Sequence, residues 1–233
     1  HTLLRLRPPS AQHWLGTDYL GRDLYARVVH GAALSLKATV IAVGLGVTAG
    51  AAIGLAAGFA RGRAEEALMR GVDVLLAIPG LLLSLTIVTV LGFGTVNVAI
   101  AVGVTSIATF ARVMRSEVLR VRGSAYVEAA GGCGVGWLGV LWRHVLPNAA
   151  GPVLALAGLE VGSAILMVSS LSFLGFGAPP PVPEWGTLVA EGRDYIVDAW
   201  WLSVLPGLVV AAVVLAVNHL GRAIDAVRNG RGR

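Results

Sequence analysis

The sequence predicts an all-α, polytopic membrane protein, and three observations support this fold class. The chain is 56% hydrophobic and only 13% charged, with a mean hydropathy of +0.77, whereas soluble domains carry about 25% charged residues. Its apolar residues are gathered into five long stretches, and its arginines are gathered into alternate segments between them. A soluble domain with a large helical core is the alternative, but it requires far more surface charge than this chain supplies.

Each long apolar stretch is predicted to form one transmembrane helix, because a hydrocarbon layer about 30 Å thick requires roughly 20 residues of helix. The third stretch is short and would need flanking residues to cross the membrane. The five predicted spans are residues 34–59, 72–91, 96–111, 149–176 and 200–220.

The connecting segments predict the orientation of the spans, because cytoplasmic loops contain an excess of arginine and lysine. Residues 60–71, 112–148 and 221–233 contain three, five and four arginines, respectively. Residues 92–95 contain none, and residues 177–199 contain only Arg193 beside four acidic residues. We therefore expect loop 112–148 and the C-terminus to be cytoplasmic, and loop 177–199 to be extracytoplasmic.

The same orientation makes residues 1–30 an extracytoplasmic segment, followed by a transmembrane domain of residues 31–233. Four arginines in this first segment run against the charge rule. A segment delivered to the outside needs an earlier span, so we expect a sixth transmembrane helix upstream of His1.

Several residues predict how the spans pack. Glycines at positions 46, 50, 54 and 58 lie on one face of the first span, which allows a second helix to approach closely. The Pro79-Gly80 pair is predicted to kink the second span. Arg70 and Asp73, three residues apart at the start of that span, are predicted to pair with each other.

Signatures of catalysis are missing from the sequence. There is no glycine-rich phosphate loop with a following Lys-Ser or Lys-Thr, no HExxH, GxSxG or CxxC motif, and no metal-ligand spacing among the five histidines. Cys133 is the only cysteine, which excludes an intrachain disulfide. If the chain drives transport, the energy must therefore come from elsewhere.

The stretch YVEAAGGCGVGWLGVLWRHVLPN, residues 126–148, lies inside the longest predicted cytoplasmic loop. Ser124 is placed to cap a helix that begins near Ala125, and three glycines between positions 131 and 134 should end it. Leu146-Pro147-Asn148 then predicts a stop and a restart before the next span. The pattern favours a short helix presented to the cytoplasm, which suits docking to another protein; a plain connecting loop is the alternative.

This stretch resembles the EAA signature of ABC importer permeases. The matching residues are Glu128, Ala129, Ala130, Gly134, Leu146 and Pro147, with His144 in place of the usual Ile. RHVLPN is similar to the form of the signature found in dipeptide and oligopeptide permeases. Four more stretches also resemble that subfamily, so that the matches extend from about residue 13 to 228: GTDYLGRDLYARVVHGAALSL, LSFLGFG, PEWGTLVAEGRDY and WWLSVLPGL.

The resemblance implies a six-helix permease subunit, folded as a helical bundle, in the cytoplasmic membrane of a bacterium or archaeon. The implied partners are a second, homologous permease, two cytoplasmic ATPases that bind ATP and Mg²⁺, an extracytoplasmic solute-binding protein and a peptide substrate. This chain itself would bind no cofactor or metal. Residues 128–136 would form a coupling helix seated on one ATPase, and the implied coupling residues are Glu128, Ala129, Ala130, Gly134, Arg143, Leu146 and Pro147.

One departure from the family pattern affects this coupling helix. Gly131, Gly132 and Cys133 follow the first part of the signature, where relatives commonly have Arg and a large apolar residue. Because each glycine costs a helix about 1 kcal/mol relative to alanine, we predict a short coupling helix that is ordered mainly by docking.

Four residues outside this loop are further candidates for functional roles. Glu160 lies deep in the fourth span, where a carboxylate is costly, so we predict that it lines the translocation pathway; a hydrogen-bonded or protonated side chain that packs between helices is the alternative. Glu184, Trp185 and Arg193 are candidates for a surface that faces the binding protein. The alternative for these three is a solvated, interfacial helix.

Other substrates and other classes of protein remain as alternatives. Within the same subfamily, nickel chelates or glutathione are alternative substrates, because specificity resides largely in the binding protein. A secondary transporter driven by an ion gradient would favour charge pairs within several spans, and this chain offers only Glu160 deep inside one. A membrane-embedded hydrolase would need a nucleophile and a base, which the sequence does not reveal.

Overall fold

A computed structural model describes residues 4–60 and 62–230, with side chains described up to residue 223. Regular structure in these residues is helical, apart from an isolated β-bridge between Thr17 and Asp23. This confirms the predicted all-α fold class. The helices are α1 (Leu24–Phe59), α2 (Arg63–Ala77), α3 (Gly80–Leu91), α4 (Thr95–Arg122), α5 (Ala125–Gly132), α6 (Trp137–Val140), α7 (Leu146–Phe173), α8 (Trp185–Gly192) and α9 (Trp201–Gly230).

Four helical segments within the described residues are long and apolar enough to cross a membrane: α1, α4, the segment Trp137–Phe173, and α9 over Trp201–Ala223. A fifth candidate is the pair α2 and α3, which are bent by 96° relative to each other. The five predicted spans are therefore found only if this bent pair counts as one. The kink predicted at Pro79-Gly80 is a complete break of the helix, since Ile78 has an extended backbone and a residue before proline avoids the helical conformation.

Two predicted boundaries are wrong. Helix α4 does not end at residue 111 but continues to Arg122, because Met114, Val118 and Val121 recur at helical spacing and are buried. Helix α1 begins at Leu24 rather than near residue 34. The Asp23 carboxylate caps this start by accepting a hydrogen bond of 2.9 Å from the Ala26 amide. The first turns of α1 therefore lie inside the segment 1–30, and part of loop 112–148 belongs to α4.

The predicted glycine face of α1 is confirmed, and its partner is α4 of the same chain. A Cβ atom at Gly50 would lie 2.6 Å from the Ile107 carbonyl oxygen and 2.6 Å from the Phe110 Cβ. Equally close contacts with α4 would arise at Gly46, Gly54 and Gly58. Glycine at these positions therefore sets the distance between the two helices.

Ion pairs connect α2 to α4 and replace the pair that the sequence predicted. Arg112 binds Asp73 at 2.8 Å and Arg115 binds Glu65 at 2.5 Å. Arg70 binds Glu66 at 2.6 Å, one helical turn away on α2. The predicted contact between Arg70 and Asp73 is therefore wrong, because α4 supplies a nearer cation to Asp73.

One end of the bundle is closed by residues 4–23 and helix α8. Trp185 is 2% exposed, packs among buried residues of α1 and α9, and donates a 3.0 Å hydrogen bond from its indole nitrogen to the Val28 carbonyl. Arg27 in α1 binds both Asp18 (3.1 Å) and Glu191 (2.6 Å). The N-terminal segment, α1 and α8 are thereby joined through one buried guanidinium group.

Candidate functional site

Helix α5 carries the first part of the signature and begins where the sequence predicted. Ser124 is the residue before the helix, and its carbonyl oxygen accepts hydrogen bonds from the amides of Val127 (3.0 Å) and Glu128 (3.2 Å). The predicted side-chain cap is wrong, because the Ser124 hydroxyl donates to the Val121 carbonyl at the end of α4 instead. Ser124 therefore holds α5 close to α4 through its hydroxyl group.

The end of α5 lies at the predicted glycines and is capped at Gly134. Gly131 and Gly132 are the last two residues of the helix, so the prediction that the helix ends at these glycines is confirmed. Gly134 has a φ of 81°, its amide donates to the Gly131 carbonyl (3.1 Å), and the Val135 amide donates to the Ala130 carbonyl (3.2 Å). This is a Schellman cap, which requires a left-handed residue that is usually glycine. The predicted role of Gly134 as a helix terminator is confirmed.

The signature residues of α5 are presented to the surface of this chain. Glu128, Ala129 and Gly134 are exposed, and Ala130 is half-buried. Only Val127 is fully buried in this helix, and it joins an apolar cluster between α4 and α7. Large apolar side chains are also exposed here, by between 48% and 66%: Tyr126 within α5, and Trp137, Leu138 and Trp142 after it. Exposed aromatic residues of this kind are enriched in protein interfaces and in the aromatic belts at membrane surfaces.

The predicted stop at Leu146-Pro147-Asn148 is wrong, since helical structure is continuous over Trp137–Phe173. A π-helical turn at Leu141–Val145 precedes the proline, and the Leu146 amide bonds to the Leu141 carbonyl, five residues back. Proline lacks an amide for the normal helical bond, and such local π-turns re-satisfy the freed backbone groups. The Asn148 side chain contributes here by donating to the His144 carbonyl at 2.6 Å.

The remaining coupling candidates lie on this continuous segment. Arg143 and Pro147 are exposed and Leu146 is half-buried. The His144 ring lies 6.2 Å from the Tyr126 ring in an edge-to-face arrangement, which links the π-turn to α5. The structure therefore brings both parts of the signature, residues 128–134 and 143–147, to one end of α4 and α7.

Glu160 lies on the same continuous helix but at the wall of a separate cavity. This cavity has a volume of about 310 Å³ and is bounded by α4, α7 and the break between α2 and α3. Glu160 is half-buried, and its side chain makes no hydrogen bond or ion pair with the described residues. Its placement at a cavity agrees with the position that a pathway residue requires, while its role stays a prediction.

The structure contradicts a surface role for Glu184 and Trp185. Glu184 is 1% exposed, and its carboxylate accepts hydrogen bonds from the Ser172 hydroxyl (3.0 Å), the Ala178 amide (2.9 Å) and the Thr95 hydroxyl. Trp185 is buried beside it. The sequence showed one acidic and one aromatic residue in a polar loop, and it did not show that Thr95 and Ser172 converge there. Arg193 is exposed, so its predicted role stays open.

Two groups of residues in the structure were not anticipated from the sequence. One is the ion cluster of Asp18, Arg27 and Glu191, in which Glu191 lies 164 residues along the chain from Arg27, so that no local pattern joins the three. The other is the set of hydroxyl side chains on α4 that faces Glu160 across the cavity. The sequence signal for these residues is a cluster of Thr and Ser within an otherwise apolar span.

Within the described residues, no group of three or more His, Cys, Asp and Glu side chains is arranged to hold a metal ion.

Comparisons with known proteins agree with this architecture. Residues 50–229 match the family described as binding-protein-dependent transport system inner membrane component. A di/tripeptide transport system permease protein of Pseudomonas aeruginosa is 44% identical over 93% of this chain and 73% of its own length. Glutathione transport system permease proteins of Pectobacterium atrosepticum and Escherichia coli are 40% and 44% identical over 91% of this chain, and over 71% and 70% of their own lengths.

A solved structure shares the fold. The crystal structure of an amino acid ABC transporter with histidines superposes with a TM-score of 0.67 at 18% sequence identity, over 89% of this chain and 97% of the other. The chain belongs to the family of inner membrane components of binding-protein-dependent transport systems. The predicted class, an ABC importer permease, is thereby confirmed.

Proposed function

We propose that this chain is one of two homologous permease subunits of an importer for dipeptides or oligopeptides. In this proposal, two cytoplasmic ATPases bind ATP with Mg²⁺, and an extracytoplasmic binding protein delivers the peptide. This chain contributes half of the transmembrane pathway and hydrolyses no ATP itself. The relative from Pseudomonas aeruginosa, whose name specifies di- and tripeptides, supports this substrate class.

The observation that carries the proposal is the exposed helix α5 with the EAA signature on its surface. Glu128 and Ala129 are exposed while Val127 fixes the helix to the base of α4 and α7. Small side chains allow close seating in a groove, and an exposed carboxylate can bind a basic group of a partner. We infer that this surface docks on one ATPase, and that Gly134, Arg143, Leu146 and Pro147 fix the path of the chain behind it.

The direction of the chain in the membrane follows from the same proposal. Helix α5 must lie on the cytoplasmic side to reach an ATPase, which agrees with the arginine-rich segments on either side of it. Residues 177–199 and the N-terminal segment then lie on the extracytoplasmic side, and the C-terminus is cytoplasmic. Arg193, which is exposed in that outer region, becomes a candidate contact for the binding protein.

In the transport cycle, ATP binding would close the two ATPases and displace α5. Because α5 contacts α4 and α7, its displacement would move the helices that bound the Glu160 cavity. The cavity would then open alternately to the two sides of the membrane. A carboxylate facing such a wet cavity avoids the roughly 2.5–3.5 kcal/mol cost of a charged group in lipid.

A matched pair of charge reversals tests the docking surface. In the assembled complex, Glu128→Lys should lower ATP-driven dipeptide uptake into proteoliposomes at least about tenfold, since a reversed charge on the docking surface repels its partner. Glu66→Lys is the control, because Glu66 is also exposed but lies on α2. Full uptake by the Glu128→Lys complex would contradict the proposal, as would equal losses in both variants.

Glutathione is a second candidate substrate, because two of the relatives are named as glutathione permeases at 40–44% identity. Mass spectrometry of the ligand that co-purifies with the associated binding protein distinguishes a dipeptide from glutathione and from a nickel chelate. The secondary transporter and hydrolase alternatives are not retained, since the family match assigns the chain to a binding-protein-dependent system.

A further inference from the structure

The Glu160 cavity has the chemistry of a site for a positively charged ligand. Glu160 is the only ionisable residue among those that line the cavity, and no lysine, arginine or histidine lies among them. When ionised, this carboxylate has no cation partner among the described residues, and it then makes the electrostatic potential in the cavity negative. Anionic groups are therefore repelled, and cationic groups are attracted.

The hydroxyl groups around the cavity reinforce this preference. The Thr105 hydroxyl donates to the Val102 carbonyl at 2.7 Å, and the Ser106 hydroxyl donates to the same carbonyl at 3.4 Å. A hydroxyl group has one proton and two acceptor lone pairs, so these two oxygens retain only acceptor capacity. Thr109 on α4 and Ser163 on α7 add two hydroxyls for which no hydrogen bond is recorded. The cavity wall thus offers acceptor oxygens at Thr105 and Ser106, and hydroxyls at Thr109 and Ser163 that can accept or donate.

We propose that this cavity is the subsite for the primary ammonium group of the transported substrate, which is the N-terminal amine of a short peptide. This inference rests on the proposed function as a peptide importer. A primary ammonium carries three donors and no acceptor, which complements one carboxylate and several hydroxyl oxygens on two helices. Unmodified peptides have this group unless they begin with proline, so the subsite accepts peptides of different sequence.

A divalent metal ion fits the cavity less well. Calcium takes six to eight oxygen ligands, several of them carboxylates, and magnesium requires near-octahedral geometry. The cavity offers one carboxylate, and the described residues contain no arrangement of three or more metal-binding side chains. The volume of about 310 Å³ lies at the lower end of the roughly 300–1,000 Å³ range of small-molecule sites, which suits a small group such as an ammonium.

The first test measures the charge preference with a single reactive thiol. In the complex with its ATPases and partner permease, this chain carries Cys133→Ala and Ser163→Cys, and mass spectrometry follows its modification by cationic and anionic methanethiosulfonate reagents. We expect the cationic reagent to react faster and Glu160→Gln to reduce the cation-to-anion rate ratio roughly tenfold, as expected for one unit charge nearby. Glu160→Asp should keep most of the ratio.

Ser170→Cys is the matched control for this measurement, because Ser170 is an exposed serine of α7 that does not line the cavity. Its rate ratio should not respond to Glu160→Gln. A ratio at Ser163→Cys that is unchanged by Glu160→Gln would overturn the inference.

The second test identifies the ligand group. Dialanine should slow the reaction of Ser163→Cys with a neutral thiosulfonate, whereas N-acetyl-dialanine should not, and Glu160→Gln should abolish the difference. Equal protection by the two peptides would overturn the subsite while leaving the proposed function intact, provided that the wild-type complex takes up dialanine with ATP. If that complex hydrolyses ATP with its binding protein present but takes up no peptide, the proposed function fails instead.

Discussion

At the scale of single residues, Glu184 illustrates how a buried carboxylate is held by hydrogen bonds alone. Three donors converge on the Glu184 carboxylate, from the start of α4, the end of α7 and the loop after α7. Among the described side chains, none forms an ion pair with it. Next to it, the Trp185 amide donates to the Ser35 hydroxyl of α1 at 3.1 Å. One short sequence thereby joins the start of α4 and the end of α7 to α1.

Replacing Glu184 by glutamine and by leucine should give different results. Glu184→Gln keeps one acceptor for the Ala178 amide and can donate to the Thr95 oxygen, so we expect a loss of less than about 1 kcal/mol in the free energy of unfolding. Glu184→Leu leaves buried donors unpaired and should cost about 2–4 kcal/mol. Unfolding in detergent micelles, followed by circular dichroism, measures both, and equal losses would contradict this account.

Gly50 and Gly44 form a second matched pair of positions. At Gly50 an added Cβ would meet backbone atoms of α4, whereas at Gly44 no atom lies within 4 Å. We expect Gly50→Ala to separate α1 from α4 and to lower stability by about 1–3 kcal/mol, and Gly44→Ala to be neutral within about 0.5 kcal/mol. The same unfolding measurement tests this, and a stable Gly50→Ala protein would show that α4 can move away freely.

At the scale of helices, the order of α5 depends on its last two residues, which are both glycines. Gly131 and Gly132 are exposed and have open space where a Cβ would lie, so alanine fits there and should stabilise the helix by about 1 kcal/mol per position. Gly134 differs, because its φ of 81° disfavours any residue with a Cβ.

Hydrogen exchange tests whether docking orders α5. In the isolated chain we expect fast exchange of the amides of residues 125–134, and in the complex we expect exchange at least about tenfold slower. The Gly131→Ala/Gly132→Ala variant should gain protection without any partner, whereas Gly134→Ala should not. Equal protection in the isolated chain and in the complex would contradict the prediction.

The sequence predicted the presence of these helices better than their ends. Apolar length alone located α1, α4, α7 and α9, because helices in lipid must satisfy their backbone groups internally. The arginines after residue 111 favour a loop by composition, whereas buried Met114, Val118 and Val121 continue the helical period and extend α4. Pro147 predicts a stop by itself, and the sequence does not reveal that a π-turn and Asn148 compensate for its missing amide.

The sequence predicts only those residues of the candidate site whose roles depend on near neighbours in the chain. Residues with a local role, such as Gly134 at the end of α5, follow from conformational preference within a few residues. Glu184 depends on Thr95 and Ser172, which are distant in sequence, so no local pattern distinguishes it from a solvated acid. The hydroxyl-lined wall opposite Glu160 is likewise a product of packing between α4 and α7.

At the scale of the whole molecule, the ion cluster around Arg27 connects the N-terminal segment to α8. The Arg27 side chain is 8% exposed and the Asp18 side chain is 2% exposed. Arg22 also binds Asp18 at 2.6 Å, which balances the charge of the cluster. Two carboxylates and two guanidinium groups therefore close one end of the bundle.

Removing Arg27 should loosen this end of the molecule. Arg27→Met leaves Glu191 and Asp18 short of a cation, and breaking a buried ion pair costs about 3 kcal/mol. Arg193→Met, at an exposed position beside the same region, should change stability by less than about 0.5 kcal/mol. Unfolding in detergent gives both values, and limited proteolysis of residues 4–23 should accelerate only in Arg27→Met. Equal behaviour of the two variants would contradict the assignment.

In the proposed transport cycle, the continuous helical segment Trp137–Phe173 would act as a lever between the docking surface near Trp137 and Glu160 partway along its length. At a rise of 1.5 Å per residue, the two positions are roughly 35 Å apart. A swing of about 5° over that length carries the carboxylate sideways by roughly 3 Å, the width of one hydrogen-bonded contact. In that cycle, a rotation of this size about the Trp137 end would therefore be enough to separate Glu160 from a bound cation.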